Sequence, residues 1–194
     1  MKTILLGFTI ALASLTACNS NEKESNATTT QANESSQVST DTLNSLPGQP
    51  AVTAVLVKHY IELKNALAND NGQDAAGAAG QIADAIENTS DGSFSADQQK
   101  VYDDVKDDIK NHAKHISIQG IKIEHQREHF DSLSTGMYSL LKVSKPTQTL
   151  YFTHCPMFND NKGANWLSEV KEINNPYYGK KMRDCGVVKE EITP

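Results

Sequence analysis

Four stretches of the chain place apolar side chains three and four positions apart, the spacing that lines up one side of an α-helix. From Ala51 onward, Val52, Val55/Leu56, His59/Tyr60, Leu63 and Ala66/Leu67 share a face, and Asn69-Asp70-Asn71-Gly72 interrupts it. Ala75, Ala79, Ile82/Ala83 and Ile86 make a second stripe, rich in alanine and suited to close packing. A loop over 88–93 follows, and Ser95 and Gln98 then have the spacing of a capping box. Val101, Val105, Ile109, His112 and Ile116 form a third stripe. Asp103, Asp104, Asp107 and Asp108 lie on the other side of that helix as a solvated face, without the loop spacing of oxygen ligands that Ca²⁺ requires. After a turn over 117–120, a fourth helix carries Ile123, Phe130, Leu133, Met137, Leu140 and Leu141 up to Pro146.

The pattern then changes. Thr149-Leu-Tyr-Phe-Thr153 is β-branched or aromatic and too short for a helix, and Gly186-Val-Val begins a second short strand. Between them lie His154-Cys155-Pro156-Met157, Gly163-Ala-Asn-Trp-Leu167, Asn175-Pro-Tyr-Tyr-Gly179 and Met182-Arg-Asp-Cys185. Trp166 and Tyr177 are expected to pin this segment to the helices. The predicted fold is mainly α: an up-down four-helix bundle with a loop-rich, short-strand C-terminal tail packed on it, over residues 47–194.

Ahead of it, Met1-Lys2-Thr3 and an apolar run from Ile4 to Leu15 read as an export signal, too short to span a bilayer. Leu15-Thr16-Ala17-Cys18 looks like a bacterial lipobox, which makes 1–17 a lipoprotein signal peptide and Cys18 the lipidated first residue. More than one acyl chain is what stable anchoring takes. From Asn19 to Leu46, 18 of 28 residues are Ser, Thr, Asn or Gln. Such a segment cannot bury enough surface to offset its ordering entropy, so 18–46 is expected to be a lipidated, disordered stalk. The expected location is the periplasmic face of a bacterial envelope, with the membrane reached only through the lipid.

Composition narrows the function. The formal charge is −6, with 18 Lys+Arg against 24 Asp+Glu and no basic block, so a nucleic-acid partner is not expected. A mean hydropathy of −0.50 excludes a polytopic membrane protein. No Gly-rich phosphate loop and no Gly-x-Ser-x-Gly elbow is present. Cys155 with His154 or His129 makes a possible nucleophile and base, but no orienting third residue or oxyanion motif accompanies them, so an enzyme is not expected.

Soft-ligand density is the strongest local signal. Cys155 and Met157 sit two apart, and Met182 and Cys185 three apart. Thiolate and thioether sulfur favour Cu(I) and related cations, and if the two loops meet, four sulfurs converge on one ion. Gly179 and Gly186 bracket the second cluster and permit a tight approach. The competing reading is a plain Cys155–Cys185 disulfide, with the methionines as core filler. His125 and His129, at i and i+4, share a helix face with chelating spacing, and His112 and His115 lie on the neighbouring helix. His154, beside Cys155, is a further candidate ligand, whereas His59 reads as structural.

Ile123-Glu-His-Gln-Arg-Glu-His-Phe130, His154-Cys-Pro-Met157, Gly163-Ala-x-Trp-Leu-Ser168, Glu172-Ile-x-Asn-Pro-Tyr-Tyr-Gly179 and Met182-x-x-Cys-Gly186 resemble an uncharacterised exported domain family. That family occurs as free-standing proteins, especially in the Bacteroidetes, and at the C-terminus of copper/silver efflux membrane-fusion (adaptor) proteins. The resemblance covers about residues 50 to 188. It implies heavy-metal handling, with Cys155, Met157, Met182 and Cys185 on the Cys-Pro-Met and Met-x-x-Cys motifs. Gln126 and Arg127 fall on the helix motif, and Arg127 is expected to brace the tail by hydrogen bonds. Members fused to adaptors often carry Ala where this chain has His125 and His129. The chain lacks the adaptor's hairpin and barrel domains, so it is not expected to bridge a pump to an outer-membrane channel alone. The resulting expectation is a lipid-anchored metal-binding protein for copper, as Cu(I), or silver. It would use Cys155, Met157, Met182 and Cys185 with His154, His129 or His125, and would buffer metal or hand it to an efflux complex. The alternative is a structural or interaction module, stapled by a disulfide, that docks on an envelope partner.

Overall fold

A computed structural model describes residues 51–89, 94–118 and 122–194. The signal segment, Cys18 and the stalk lie outside them. Four helices run in sequence: α1 (Ala51–Ala68), α2 (Gly72–Glu87), α3 (Ala96–Ile118) and α4 (Ile123–Ser144). Their starts follow local chemistry. The Asn71 side chain accepts the Asp74 N–H at 3.1 Å and caps α2. At α3 the Ser95 N–H donates to Gln98 Oε1 at 3.0 Å, and the Gln98 N–H to Ser95 Oγ at 3.4 Å.

Each helix packs on the next in sequence, as an up-down bundle requires, and the α1–α4 contact is the slight one. A three-stranded antiparallel sheet in the order β2-β1-β3 accompanies that seam. Its strands are β1 (Leu150–Cys155), β2 (Ala164–Ser168) and β3 (Val187–Ile192), and β2 packs on both α4 and α1. The second strand, β2, departs from the loop that the sequence pattern predicts there. Ala164-Asn-Trp-Leu-Ser lacks β-branched residues, and its extended form comes from pairing with β1, from Tyr151↔Ser168 to Cys155↔Ala164.

The core is continuous from helices to sheet. Tyr60 stacks on Phe130 with ring centroids 5.3 Å apart. Its hydroxyl accepts the Leu167 N–H at 3.0 Å and shares a 2.8 Å hydrogen bond with Ser134 Oγ, which joins α1, α4 and β2. Lys64, fully buried, pairs with Glu169 at 2.7 Å just beyond β2. No helix among the described residues is long and apolar enough to cross a membrane.

Candidate metal and thiol centre

Cys155 ends β1 and is fully buried, while Cys185 lies half-buried in the turn before β3. Their sulfur atoms are 3.5 Å apart and unbonded. Burial pushes the Cys185 thiol up, and its neighbour Cys155 adds to the rise, so Cys185 is held as a thiol near neutral pH. Such a sulfur is a poor free nucleophile, but a cation between the pair would supply the charge that releases both protons.

The loop bearing Cys185 is built around Asn175. This buried side chain donates from Nδ2 to the Cys185 carbonyl at 2.6 Å, and its Oδ1 accepts the N–H groups of Tyr177 and Tyr178 at 2.8 and 3.2 Å. The Asn175 N–H donates to the Arg183 carbonyl at 2.9 Å, so one residue fixes both ends of the loop. Sequence reasoning gives Asn175 no role in the site. The signal that could have found it is the Asn-Pro pair, an Asx-turn opening whose side chain bonds the backbone two residues on. Gly186 lets this loop reach β1. A Cβ there would lie 2.7 Å from the Trp166 ring and 3.2 Å from the His154 carbonyl oxygen.

The first sulfur loop is tied to the second by the Tyr178 hydroxyl, which donates to the Met157 carbonyl at 2.8 Å. Met157 is 45% exposed and Met182, following the 3₁₀ turn Gly179–Lys181, is half-buried. Phe158–Asn161 forms a tight turn in which Asn159, Asp160 and Asn161 all take positive φ, a conformation Asn and Asp tolerate best. His154 is turned away from Cys155, because successive strand residues face opposite ways. Its Nδ1 lies 2.9 Å from Oδ1 of Asn165, its partner across the ladder. Trp166 is fully buried and meets Tyr177 edge-on at 6.0 Å. Tyr177 also packs on Phe130 and Phe158 and donates its hydroxyl to the Asn165 carbonyl.

Arg127 and Gln126 sit in α4 behind this loop. Arg127 Nε donates to the Pro176 carbonyl at 2.8 Å, and Nη2 donates to the Leu67 carbonyl at 3.0 Å and to Asp70 Oδ1 at 2.6 Å. Burial alone would raise the Asp70 carboxyl, but hydrogen bonds from Arg127 and the Lys180 N–H hold it below its ordinary value. Gln126 Nε2 donates to the carbonyls of Gly72 and Ile116 at 3.0 and 3.2 Å, which joins the ends of α2, α3 and α4. An open cleft of about 480 Å³ borders the tail, lined by Arg127, Asp131, Phe158, Tyr177, Tyr178 and Lys181 among others. Burial raises the Asp131 carboxyl in its wall, against the lowering effect of the Asn165 N–H and of His154.

The structure therefore brings Cys155 and Cys185 together and groups His125 and His129 elsewhere, where their ring contacts are with each other and with His112 and His115 of α3. Among the described residues, no group of three or more His, Cys, Asp or Glu side chains is placed to hold a metal ion. No curated protein and no solved structure matches the chain. Residues 56–149, from the second turn of α1 to the start of β1, match the model of a family described as a protein of unknown function, DUF3347, a span that includes the histidine cluster and stops short of both cysteines.

Proposed function

We propose that this is an exported, lipid-anchored protein that carries Cu(I) or Ag(I) as cargo at Cys155 and Cys185 and passes it to an envelope efflux system. The observation that carries the reading is the sulfur pair itself, 3.5 Å apart and unbonded at the meeting point of two loops. Two thiolates are the soft donor set these ions favour. One fully buried thiol beside one half-buried thiol suits an ion that must enter and leave. Met157 and Met182 flank the pair in sequence and would offer thioether sulfur during transfer.

The test is a titration of the reduced protein with Cu(I) against a competing chelator. One ion per chain should be retained, and Cys155→Ser or Cys185→Ser should weaken binding by at least about tenfold. Met157→Ala should weaken it less. A reduced protein that retains no Cu(I) overturns the reading.

The same separation favours a second reading, in which the two thiols close a disulfide and the domain serves as an interaction module on an envelope partner. Thiol titration of freshly isolated, unreduced protein separates the two. Two free thiols support metal carriage, and none supports the staple.

A further inference from the structure

Away from the sulfur pair, four imidazoles meet between α3 and α4. Nε2 of His125 and Nε2 of His129 are 3.2 Å apart, one helical turn from each other on α4. The other nitrogen of each ring is engaged. His125 Nδ1 lies 2.8 Å from Glu128 Oε2, and His129 Nδ1 lies 2.9 Å from His112 Nδ1. The His115 ring stacks on His129 at 4.6 Å with 14° between planes, which restrains the ring.

From this we infer that His125 and His129 form a second, chemically distinct cation site, for a borderline divalent ion such as Ni²⁺, Cu²⁺ or Zn²⁺. It is independent of Cys155 and Cys185.

Three observations carry it. The first is spacing. Two nitrogens about 2.1 Å from one ion, at an angle near 100°, are about 3.2 Å apart, and His125 and His129 already hold that separation. The second is the support of the ligands. A metal-bound imidazole ordinarily donates its remaining N–H to a carboxylate or another acceptor, which fixes the ring. His125 has Glu128 for this and His129 has His112. The third is access, since the His125 side chain is 44% exposed. Water or a ligand atom from solution would fill the remaining positions, which is consistent with the absence, among the described residues, of a group of three or more ligating side chains.

The protons balance without a net change. Without the ion, the Glu128 carboxylate fixes the His125 proton on Nδ1, so His129 donates from Nε2 to His125 and accepts at Nδ1 from His112. When the ion binds, the His129 Nε2 proton leaves to water. The shared proton passes from His112 Nδ1 to His129 Nδ1, and His112 takes one from water at Nε2. His112 is thus a positioning residue that offers His129 a lone pair when the ion arrives.

The test is Ni²⁺ titration of the full chain against a competing chelator, with imidazole resonances and near-ultraviolet absorption followed together. One ion per chain should bind, with the His125 and His129 rings shifted and no thiolate-to-nickel charge-transfer band. His125→Ala and His129→Ala should each weaken binding at least about tenfold, and His112→Phe by about tenfold with the His125 ring still responding. His59→Ala should leave it unchanged. Because His125 is so exposed, its removal will not unfold the domain, and unchanged affinity in that variant overturns the site. So does the absence of binding, or a charge-transfer band showing that nickel sits on the cysteines. The Cu(I) result stands apart from either outcome.

Discussion

At the residue scale, the approach of the two cysteines depends on one missing methyl group. A Cβ on Gly186 would press on the Trp166 ring at 2.7 Å. Trp166 is fully buried and cannot yield, so the turn bearing Cys185 must retreat from β1. Gly186→Ala should cost about 1–3 kcal/mol of stability in chemical denaturation and slow Cys155–Cys185 oxidation by diamide. An unchanged oxidation rate would show that the loop finds another route. Asn175→Ala acts on the same loop through hydrogen bonds, leaving the Cys185 carbonyl and two N–H groups without their partner. Asp131 behaves oppositely, because burial raises its carboxyl. A raised folded value means that stability is fully present below the unfolded value near 4 and falls as pH rises through the folded one. Asp131→Asn should therefore raise the melting temperature at pH 7 and leave it unchanged at pH 3. A lower melting temperature at pH 7 would mean that the Asn165 N–H bond to the carboxylate outweighs the cost of burying it.

At the element scale, Arg127 couples α4 to the end of α1 and to the tail loop through three hydrogen bonds, one of them to Asp70. Arg127→Met keeps the stem and removes every donor, leaving the Leu67 and Pro176 carbonyls without them. A loss of about 3 kcal/mol or more is expected, since hydrogen bonds from a charged group are worth about 1.5–3 kcal/mol each. Asp70 adds a pH signature. Its depressed value stabilises the fold above the unfolded value near 4 and is lost as pH falls through the folded one. Between pH 4 and 2, stability should fall less steeply in Arg127→Met than in the parent. Equal slopes would show that Asp70 draws its stabilisation from elsewhere. These long-range bonds mark the boundary of what the sequence discloses. The helices are legible because Leu56, Leu63, Ile109 and Phe130 recur at helical spacing, and Ser95/Gln98 announces a start in a local pattern. The strand Ala164–Ser168 is not legible, because its conformation is imposed by β1 from outside. Nor is the part played by Asn175, whose partners are fixed only when Arg183 and Cys185 fold back over it. The meeting of Cys155 and Cys185 can be posed from sequence only as a condition, since 30 positions separate them. The rotation of His154 onto Asn165 follows from strand alternation once β1 is known, and not before.

At the scale of the whole molecule, the tail serves two ends that pull on the same atoms. It completes the bundle, because β2 packs on both α1 and α4, which touch each other only slightly, and the Leu167 N–H donates to the Tyr60 hydroxyl that Ser134 of α4 also engages. It also carries the thiol pair. Whatever the sulfurs do is therefore felt by the fold. A disulfide between Cys155 and Cys185 would close a loop of about 30 residues and stabilise by about 3–4 kcal/mol in the chain-entropy model. A bound ion would stabilise through the affinity it has for the folded pair over the unfolded chain. The two gains exclude each other, since an oxidised pair has no thiolate to offer. Denaturant unfolding of three preparations should separate them. Reduced, ion-free protein should be least stable, and Cu(I)-loaded and diamide-oxidised protein should both be more so. Adding the ion to the oxidised form should change nothing at the sulfur pair. If oxidation leaves stability unchanged, the tail is held by its hydrogen bonds alone and the sulfurs are free of structural duty. If Cu(I) stabilises the oxidised protein as strongly as the reduced one, the ion is sitting somewhere other than on Cys155 and Cys185.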